Sequence, residues 1–247
     1  MVREPEALPP SAEHVRRAVA EVRGRIEAAS RRAGRRPQDV TLLGASKSVP
    51  VSMLQVARAA GVLHFGENRA ADLAAKAEAL GATWHFIGKL QRGTARKVAD
   101  VADVIHSAER GPALERVARR AASSGRRIDC LIQVDFTGRR QGVAPGEVAD
   151  FASEVAGLDG LRLVGLMTLP PLTSDPEGAR PYFRTLRSLL NELQTDHPEV
   201  RELSMGMSAD FEIGVEEGAT MVRVGSALFG PRPEPGTESA SGQRQRG

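Results

Sequence analysis

The chain contains 247 residues with a mass of 26.4 kDa, a size that suits one large domain or two small ones. Its formal net charge of +3 comes from basic residues interleaved with acidic ones, which does not indicate a nucleic-acid-binding protein. The single cysteine, Cys130, cannot form an intramolecular disulfide. Because neither a long apolar run nor an apolar N-terminal leader is present, we expect a cytoplasmic protein that does not enter a membrane.

The predicted elements begin with a helix over residues 11–33 and continue, from residue 39, as short apolar runs that alternate with longer helical patterns. This alternation is typical of repeated βα units and a parallel sheet. The predicted strands are, in chain order, VTLLGAS, VLHFG, TWHFIG, DVIHSA, IDCLIQVDF, LRLVGLMTL, RELSMGM and TMVRVGSALFG. The helical patterns between them include VSMLQVARAAG, RAADLAAKAEALG, ALERVARRAASSG, GEVADFASEVAG and RPYFRTLRSLLNELQ. Eight such strands predict an α/β fold, a closed (β/α)8 TIM barrel whose extra N-terminal helix fills a gap in the outer ring.

The domain organisation follows from the same patterns. No boundary interrupts residues 39–230, so residues 1–230 are predicted to form one barrel domain. Residues 231–247, PRPEPGTESASGQRQRG, are rich in Pro, Gly, Ser and charge. Such a segment cannot bury enough apolar surface to order itself, and we expect a disordered tail.

Polar residues at the carboxyl ends of the strands are the candidate functional residues, because the active site of a parallel barrel lies there. In chain order they are Ser46, Lys47, Glu67, Asn68, His85, Thr168, Ser204, Ser208, Arg223 and Ser226, together with Met167 and Gly225. Three features among them indicate chemistry: a candidate anion site, the arginine Arg223 and the lysine Lys47.

The segments after the seventh and eighth strands indicate a phosphate site, since loops at these positions bind phosphate in many barrels. Ser208 is predicted at the start of a helix, whose free N–H groups favour an anion. Gly225 allows a ligand to approach the backbone closely, and Ser226 adds a hydroxyl group. Taken singly, the same residues also fit a helix cap and a tight turn.

Arg223 lies on the eighth strand between Val222 and Val224. If the two valines face the helices, Arg223 points into the mouth of the barrel. A buried arginine needs an acceptor, which is either a ligand or a carboxylate such as Glu212 or Asp210.

Lys47 lies in LLGASKSVP, where the first strand is predicted to end. Alone, this segment fits a surface or ion-paired lysine. In the mouth of a barrel close to Arg223, the charged form would be disfavoured, and the neutral amine would be available to attack an aldehyde. A phosphate site in the same mouth favours this chemistry, because pyridoxal 5′-phosphate (PLP) requires both a Schiff-base lysine and a phosphate site.

His64, His85 and His106 fall on strand patterns, where histidine usually occupies a hydrogen-bonded core position. The sequence contains no HExxH motif, no Cys–His spacing and no calcium-loop order, so no metal site is predicted. No G-x-S-x-G elbow supports a catalytic triad.

Five motifs together resemble the pyridoxal-phosphate homeostasis proteins, a family of single-domain relatives of the alanine racemase barrel. The motifs are LLGASKSVP, HFGENRA, WHFIGKLQ, GLMTLPP and LSMGMSADFEIGVEEGATMVRVGSALFG, and they fall in the family's order over residues 40–230. The resemblance implies a barrel of the alanine racemase N-terminal-domain type.

The resemblance also implies a set of cofactor contacts. Lys47 would hold PLP as a Schiff base, and Arg223 would face the pyridine nitrogen. The other implied contacts are Asn68, His85 and Met167 in the pocket lining and Ser208, Gly225 and Ser226 at the phosphate. An arginine does not readily lend a proton to the ring nitrogen, so the cofactor would be a weaker electron sink than with an aspartate.

Two loops depart from the family pattern. In LQRGTAR, Gly93 and Thr94 replace Asn and Lys, which puts a ligand role for that loop in doubt. In VDFTGRRQGV, Arg139 or Arg140 stands where a lysine is common. Neither loop contains the Schiff-base lysine or the phosphate motif.

The resemblance implies a PLP carrier or buffer that serves vitamin B6 and amino-acid homeostasis and supplies PLP-dependent apoenzymes. Alanine racemases add a tyrosine from a second domain as the opposite acid/base, whereas Tyr182, the one tyrosine here, falls in a helix pattern. Efficient two-base racemisation is therefore not expected. We also expect the protein to be a monomer. Two enzymatic alternatives stay open: a weak PLP-dependent racemase with Lys47 as its base, and a Schiff-base aldolase acting on a phosphorylated aldehyde.

Overall fold

Eight parallel strands form the centre of the fold in a computed structural model that describes residues 11–171 and 174–231. The strands are β1 Thr41–Ala45, β2 His64–Glu67, β3 Thr83–Phe86, β4 Val104–Ala108, β5 Ile128–Val134, β6 Leu161–Thr168, β7 Glu202–Met207 and β8 Met221–Val224. Each strand pairs with the next along the chain, and β8 pairs with β1. The sheet is thus a closed barrel, which confirms the predicted fold class.

Nine α-helices within the described ranges return the chain between strands or cover the ends of the barrel. They are α1 Ala12–Arg32, α2 Val51–Ala59, α3 Ala70–Ala79, α4 Ala95–Val101, α5 Pro112–Ser123, α6 Val148–Ala156, α7 Arg180–Leu193, α8 Phe211–Glu216 and α9 Ser226–Phe229. Three short 3₁₀ turns lie at Pro37–Asp39, Pro145–Glu147 and Pro176–Ala179. The predicted tail, apart from Pro231, lies outside the described residues.

The predicted N-terminal helix is confirmed as α1. Ser11 caps it, because the Ser11 side chain accepts a hydrogen bond from the N–H of His14. The buried stripe of α1, which includes Val19 and Ile26, packs against α2, α8 and α9. This helix therefore fills the outer ring between the first and last βα units, as the pattern predicted.

The prediction for the last strand was wrong in its second half. In TMVRVGSALFG the strand ends at Val224, and Ser226–Phe229 is a short helix. The N–H groups of Leu228 and Phe229 both donate to the carbonyl of Gly225, and both side chains are buried. A continuous apolar run fits a buried strand or a buried helical turn equally well, so its pattern could not separate the two.

The hydrophobic core has two parts. The larger part lies between the strands and the surrounding helices, and a small cluster of Val104, Leu131 and Met167 lies apart from it. Cys130 is buried in the larger part. Burial, reinforced by the charge of Asp129, raises the pKa of this thiol to about 12, so it stays protonated.

Among the described residues, none of the helices combines the length and the apolar composition that a membrane crossing requires.

Gly88 lies two residues after the end of β3, where the segment after β3 contacts the segment after β2. A Cβ atom at this position would lie 2.1 Å from the carbonyl oxygen of Asn68. Only a glycine allows the two backbones to approach so closely. The segment after β3 is thereby held against the segment after β2.

We expect Gly88→Ala to lower the free energy of unfolding by about 1–3 kcal/mol, because the new methyl group must displace the backbone of Asn68. Gly93→Ala is the matched control, since a Cβ at Gly93 meets no atom within 4 Å. Urea unfolding followed by circular dichroism measures both changes. Equal stability of the two variants would show that the contact imposes no constraint.

Candidate active site

Lys47 and Ser48 are the two central residues of a tight turn that follows β1. The N–H of Val49 donates to the carbonyl of Ser46 at 3.0 Å and closes the turn. Ser48 has a φ of 61°, in the left-handed region, where a residue other than glycine is strained by about 1–3 kcal/mol. The backbone that carries Lys47 is therefore held in a conformation that the surrounding contacts must enforce.

A buried ion pair lies beneath this turn. Lys76, on α3, donates to the carboxylate of Glu67 and, at 2.6 Å, to the carbonyl of Ser46. The Ser46 hydroxyl lies 3.0 Å from Glu67 Oε1 and from the carbonyl of Gly66. The Glu67 side chain is fully buried, so its charge is compensated by Lys76 and by these hydrogen bonds. The pair ties the turn that carries Lys47 to β2 and α3.

Asn68 lies next to this network on the rim of the barrel. Its backbone N–H donates to Glu67 Oε2 at 3.0 Å, while the residue itself is exposed. The family resemblance assigns Asn68 to the pocket lining, and an exposed residue beside the Lys47 turn is compatible with that assignment.

The predicted anion site is assembled from two loops, although the predicted position of Ser208 was wrong in one respect. Ser208 does not begin a helix, because α8 starts at Phe211 with Asp210 in the cap position. Instead, Ser208 Oγ lies 3.2 Å from the backbone N of Gly225 and 3.3 Å from that of Ala227. A hydroxyl group and the N-terminus of α9 thus converge on one point.

Gly225 also packs against the neighbouring strand. A Cβ atom on Gly225 would lie 3.4 Å from the Cβ atom and the carbonyl oxygen of Ala45, two residues before Lys47. Ser226 is exposed at the first position of α9. The loop that carries the candidate anion site and the turn that carries Lys47 are therefore direct neighbours at the same end of the barrel.

Arg223 points to the interior of the barrel, as predicted, because Val222 and Val224 belong to the core between strands and helices. The arginine is 4% exposed, and it donates to Ser204 Oγ at 2.5 Å and to the carbonyl of Thr168 at 2.9 Å. Burial lowers the pKa of Arg223 to about 10, and the charge of Asp210 opposes this shift. At neutral pH the guanidinium remains charged.

Of the two carboxylates predicted as partners of Arg223, Glu212 was wrong. Glu212 pairs with Arg25 at 2.7 Å and with Arg32 at 3.2 Å on the outer helices. Asp210 acts on Arg223 through its charge, while its carboxylate accepts the N–H of Met207 at 2.6 Å. Burial raises the pKa of Asp210.

His85 lies in the barrel interior, hydrogen-bonded on both sides to other histidines. Its Nε2 atom is 3.0 Å from His64 Nδ1, and its Nδ1 atom is 2.7 Å from His106 Nε2. Both ring nitrogens are thus engaged within the protein. A polar contact between His85 and a cofactor is not available while these bonds persist, and its lining role stays a prediction.

Met167 and Thr168 end β6 in the interior. Met167 is 1% exposed and packs with Val104 and Leu131, so its contribution is apolar. The Thr168 hydroxyl donates to the carbonyl of Val134 at 2.9 Å, and its own carbonyl accepts from Arg223. The end of β6 thereby provides an acceptor for the Arg223 guanidinium.

Comparison with known proteins places this chain in a family. Residues 19–233 match the family model of the alanine racemase N-terminal domain. A pyridoxal phosphate homeostasis protein of Aquifex aeolicus is 40% identical over 214 residues, which are 84% of this chain and 94% of the relative. The protein of the same description from Escherichia coli K12 is 36% identical over 222 residues, 87% of this chain and 95% of the relative.

The chain belongs to the pyridoxal phosphate homeostasis protein family. A solved structure of PipY from Synechococcus elongatus PCC7942, with PLP bound, is similar at a TM-score of 0.77 and 34% identity, over 87% of this chain and 100% of PipY. The alanine racemase type of barrel, which the sequence motifs implied, is confirmed by the family match and the closed eight-stranded sheet.

Sequence reasoning missed Lys76, and it predicted hydrogen-bonded core positions for His64, His85 and His106 without their contact with one another. Lys76 lies in an alanine-rich helix pattern and shows no local sign of its bond to Glu67. The three strand histidines did leave a signal: His64, His85 and His106 are separated by 21 residues each, one βα unit per step. Such a period places the same side chain on three successive strands.

We expect Lys76→Met to lower the free energy of unfolding by about 3–5 kcal/mol, because it leaves the buried Glu67 carboxylate without its cation. The double variant Glu67→Gln/Lys76→Met removes both charges and should regain most of that loss. Lys97→Met, at an exposed position on α4, is the control. Denaturant unfolding decides: a double variant as unstable as Lys76→Met would contradict the charge explanation.

Proposed function

We propose that this protein binds PLP reversibly as a Schiff base on Lys47 and acts as a cytoplasmic carrier or buffer in vitamin B6 and amino-acid homeostasis. The observation that carries the proposal is the meeting, at one end of one barrel, of the Lys47 turn and the Ser208–Gly225 cradle above the buried Arg223. PLP offers an aldehyde, a phosphate and a pyridine nitrogen, and these three groups match the three features.

The phosphate is the group that the cradle suits best. The backbone N–H groups of Gly225 and Ala227 donate to Ser208 Oγ at the N-terminus of α9, and a phosphate oxygen would replace Ser208 Oγ as their acceptor. N–H groups at a helix start attract anions because they lack partners within the helix. Ser226, exposed at the first position of α9, adds a second hydroxyl group within the same loop. These residues would orient the cofactor with its aldehyde toward β1.

Lys47 supplies the amine. When PLP is bound, the Lys47 Nζ atom would form a C=N bond to the aldehyde carbon, and the aldehyde oxygen would leave as water with the two amine hydrogens. The turn held by Ser48 and by the ion pair below it fixes the direction from which the amine approaches. Hydrolysis reverses the bond, as release of the cofactor requires.

Arg223 limits the chemistry of the bound ring. A guanidinium with a pKa of about 10 keeps its proton at neutral pH, so it does not protonate the pyridine nitrogen. The ring then withdraws electrons weakly, which suits storage of PLP better than transformation of amino acids. Asn68 and Met167 would line the pocket.

The opposite acid/base of a racemase would be a tyrosine on the cofactor face away from Lys47, whereas the ring contact of Tyr182 is with Phe136. Tyr182, the single tyrosine of the sequence, lies on α7 in the outer ring, with its ring 5.7 Å from that of Phe136. One base on Lys47 can exchange a proton on one face only. Weak racemisation through Lys47 alone is therefore the second candidate function.

We propose that the protein acts as a monomer and that it supplies PLP to PLP-dependent apoenzymes.

Borohydride reduction of the PLP-loaded protein should fix the cofactor on Lys47, because reduction converts the C=N bond to a stable amine. Peptide mapping by mass spectrometry should find the modification there and lose it in Lys47→Ala. Lys89→Ala, an exposed lysine after β3, should retain it. Modification that persists in Lys47→Ala would sink the proposal, and no modification in either protein would favour a role without PLP.

The carrier and racemase roles differ in their effect on amino acids. We expect the loaded protein to leave a panel of L-amino acids unchanged in chiral chromatography and to restore activity to an added PLP-dependent apoenzyme. Inversion that depends on Lys47 would instead assign the weak racemase. Free PLP at the same concentration is the control for transfer.

A further inference from the structure

A chain of hydrogen bonds crosses the barrel interior from the first residue of β2 to Arg223. It passes from His64 to His85 at 3.0 Å and from His85 to His106 at 2.7 Å. His106 Nδ1 then lies 2.9 Å from Ser204 Oγ, which accepts from Arg223 at 2.5 Å. The five side chains come from β2, β3, β4, β7 and β8, so the chain crosses the barrel between β4 and β7.

The three imidazoles are neutral at physiological pH. Burial, with a further contribution from His64, lowers the pKa of His85 to about 3. Burial also lowers the pKa of His64, and it lowers that of His106 well below the usual range, with help from the neighbouring histidines and Arg223. A neutral imidazole has one donor and one acceptor nitrogen, so each ring passes the chain on in one direction.

Arg223 sets that direction. A guanidinium only donates, so Ser204 Oγ accepts from it and keeps its own hydrogen to donate. A buried hydroxyl hydrogen needs an acceptor, and within residues 11–171 and 174–231 the other polar partner of Ser204 Oγ is His106 Nδ1. The arrangement that satisfies both groups has His106 Nδ1 accepting from Ser204. His106 therefore carries its proton on Nε2 and donates to His85 Nδ1. By the same step, His85 carries its proton on Nε2 and donates to His64 Nδ1.

The resulting dipoles all turn their negative ends toward the guanidinium. This matters because, among the described residues, no carboxylate forms an ion pair with Arg223, whose direct partners are a hydroxyl and a carbonyl. Aligned hydrogen bonds polarise one another, and in a low-dielectric interior they stabilise a charge more than they would in water. The chain thus adds to the charge of Asp210, which acts on Arg223 without forming an ion pair with it.

The outer end of the chain reaches a cavity of about 450 Å³ at the N-terminal end of the barrel. His64 lines this cavity together with Arg23, Gln38, Thr41 and the 55% exposed Leu63. His64 is only half-buried, so its Nε2 hydrogen is the one donor of the chain near solvent. Removing the hydrogen-bonding groups of His64 would therefore change which atom donates and which accepts in the hydrogen bonds of the chain up to Arg223.

We propose that His64, His85 and His106 are positioning residues, which hold Arg223 in one orientation through a relay of Nε2-protonated rings that begins at the cavity. Its consequence for the cofactor rests on the proposed function, namely that Arg223 faces the pyridine nitrogen. The relay itself is a property of the protein without PLP, and the two can be tested apart.

Long-range ¹H–¹⁵N correlation spectra of the full ¹⁵N-labelled chain report which nitrogen of each histidine carries the proton. We expect Nε2–H on all three relay histidines without PLP, with His14 and His197, outside the barrel, as internal references. Nδ1–H on His85 or His106 would overturn the proposal, whatever the result of borohydride labelling at Lys47. Labelling that fails while the relay tautomers hold would overturn only the proposed function.

A matched pair of variants at the far end tests the coupling. His64→Asn keeps an acceptor oxygen near the position of Nδ1, whereas His64→Leu removes it. We expect His64→Leu, but not His64→Asn, to add Nδ1–H signals at His85 and His106 and to speed the release of PLP from the loaded protein by about threefold or more. Identical tautomers and release rates in the two variants would reject the relay. If His64→Leu does not fold, the tautomers of the unmodified chain decide the question.

Discussion

The pairing of β1 with β8 is the constraint on which the site depends. It sets Leu43 opposite Arg223 and closes the barrel, so that the first and last strands become neighbours. The turn after β1 carries Lys47, and the segment after β8 carries Gly225, which packs against Ala45. Closure therefore brings the Lys47 turn next to the candidate anion site, although the two lie far apart along the chain.

Two buried charges of this fold are balanced in different ways. Glu67 is balanced by a direct ion pair with Lys76, which also anchors the Lys47 turn. Arg223 has no such partner among the described residues, and a hydroxyl, a carbonyl and a line of imidazoles surround it instead. A carboxylate in contact with the guanidinium would compete with any ligand for it. Neutral dipoles stabilise the charge without forming an ion pair with it.

The same arrangement accounts for the restrained chemistry proposed for this family member. A strained turn and an ion pair hold Lys47 in place, and a permanently charged Arg223 does not lend its proton. The one tyrosine lies in the outer ring. These groups serve the proposed binding of PLP, whereas they do not serve proton transfer on both faces of the cofactor. A carrier needs the first property and is better without the second.

The sequence by itself determined the architecture and the identity of the principal groups. Alternating apolar runs and helix patterns predicted the eight strands, and the order of the motifs singled out Lys47, Ser208 and Arg223. These features are local, because strand and helix periodicity and turn chemistry are encoded over a few neighbouring residues. The period of 21 residues between histidines was present as well, but its meaning depends on strand register.

Only the tertiary structure decided how those groups are supported. It moved Ser208 from a helix start to a cradle with Gly225, replaced Glu212 by Ser204 and Thr168 as partners of Arg223, and brought Lys76 beneath Lys47. It also turned half of the last apolar run into a helix. Each of these outcomes depends on contacts between distant segments, and buried polar groups choose such partners by geometry that no local pattern contains.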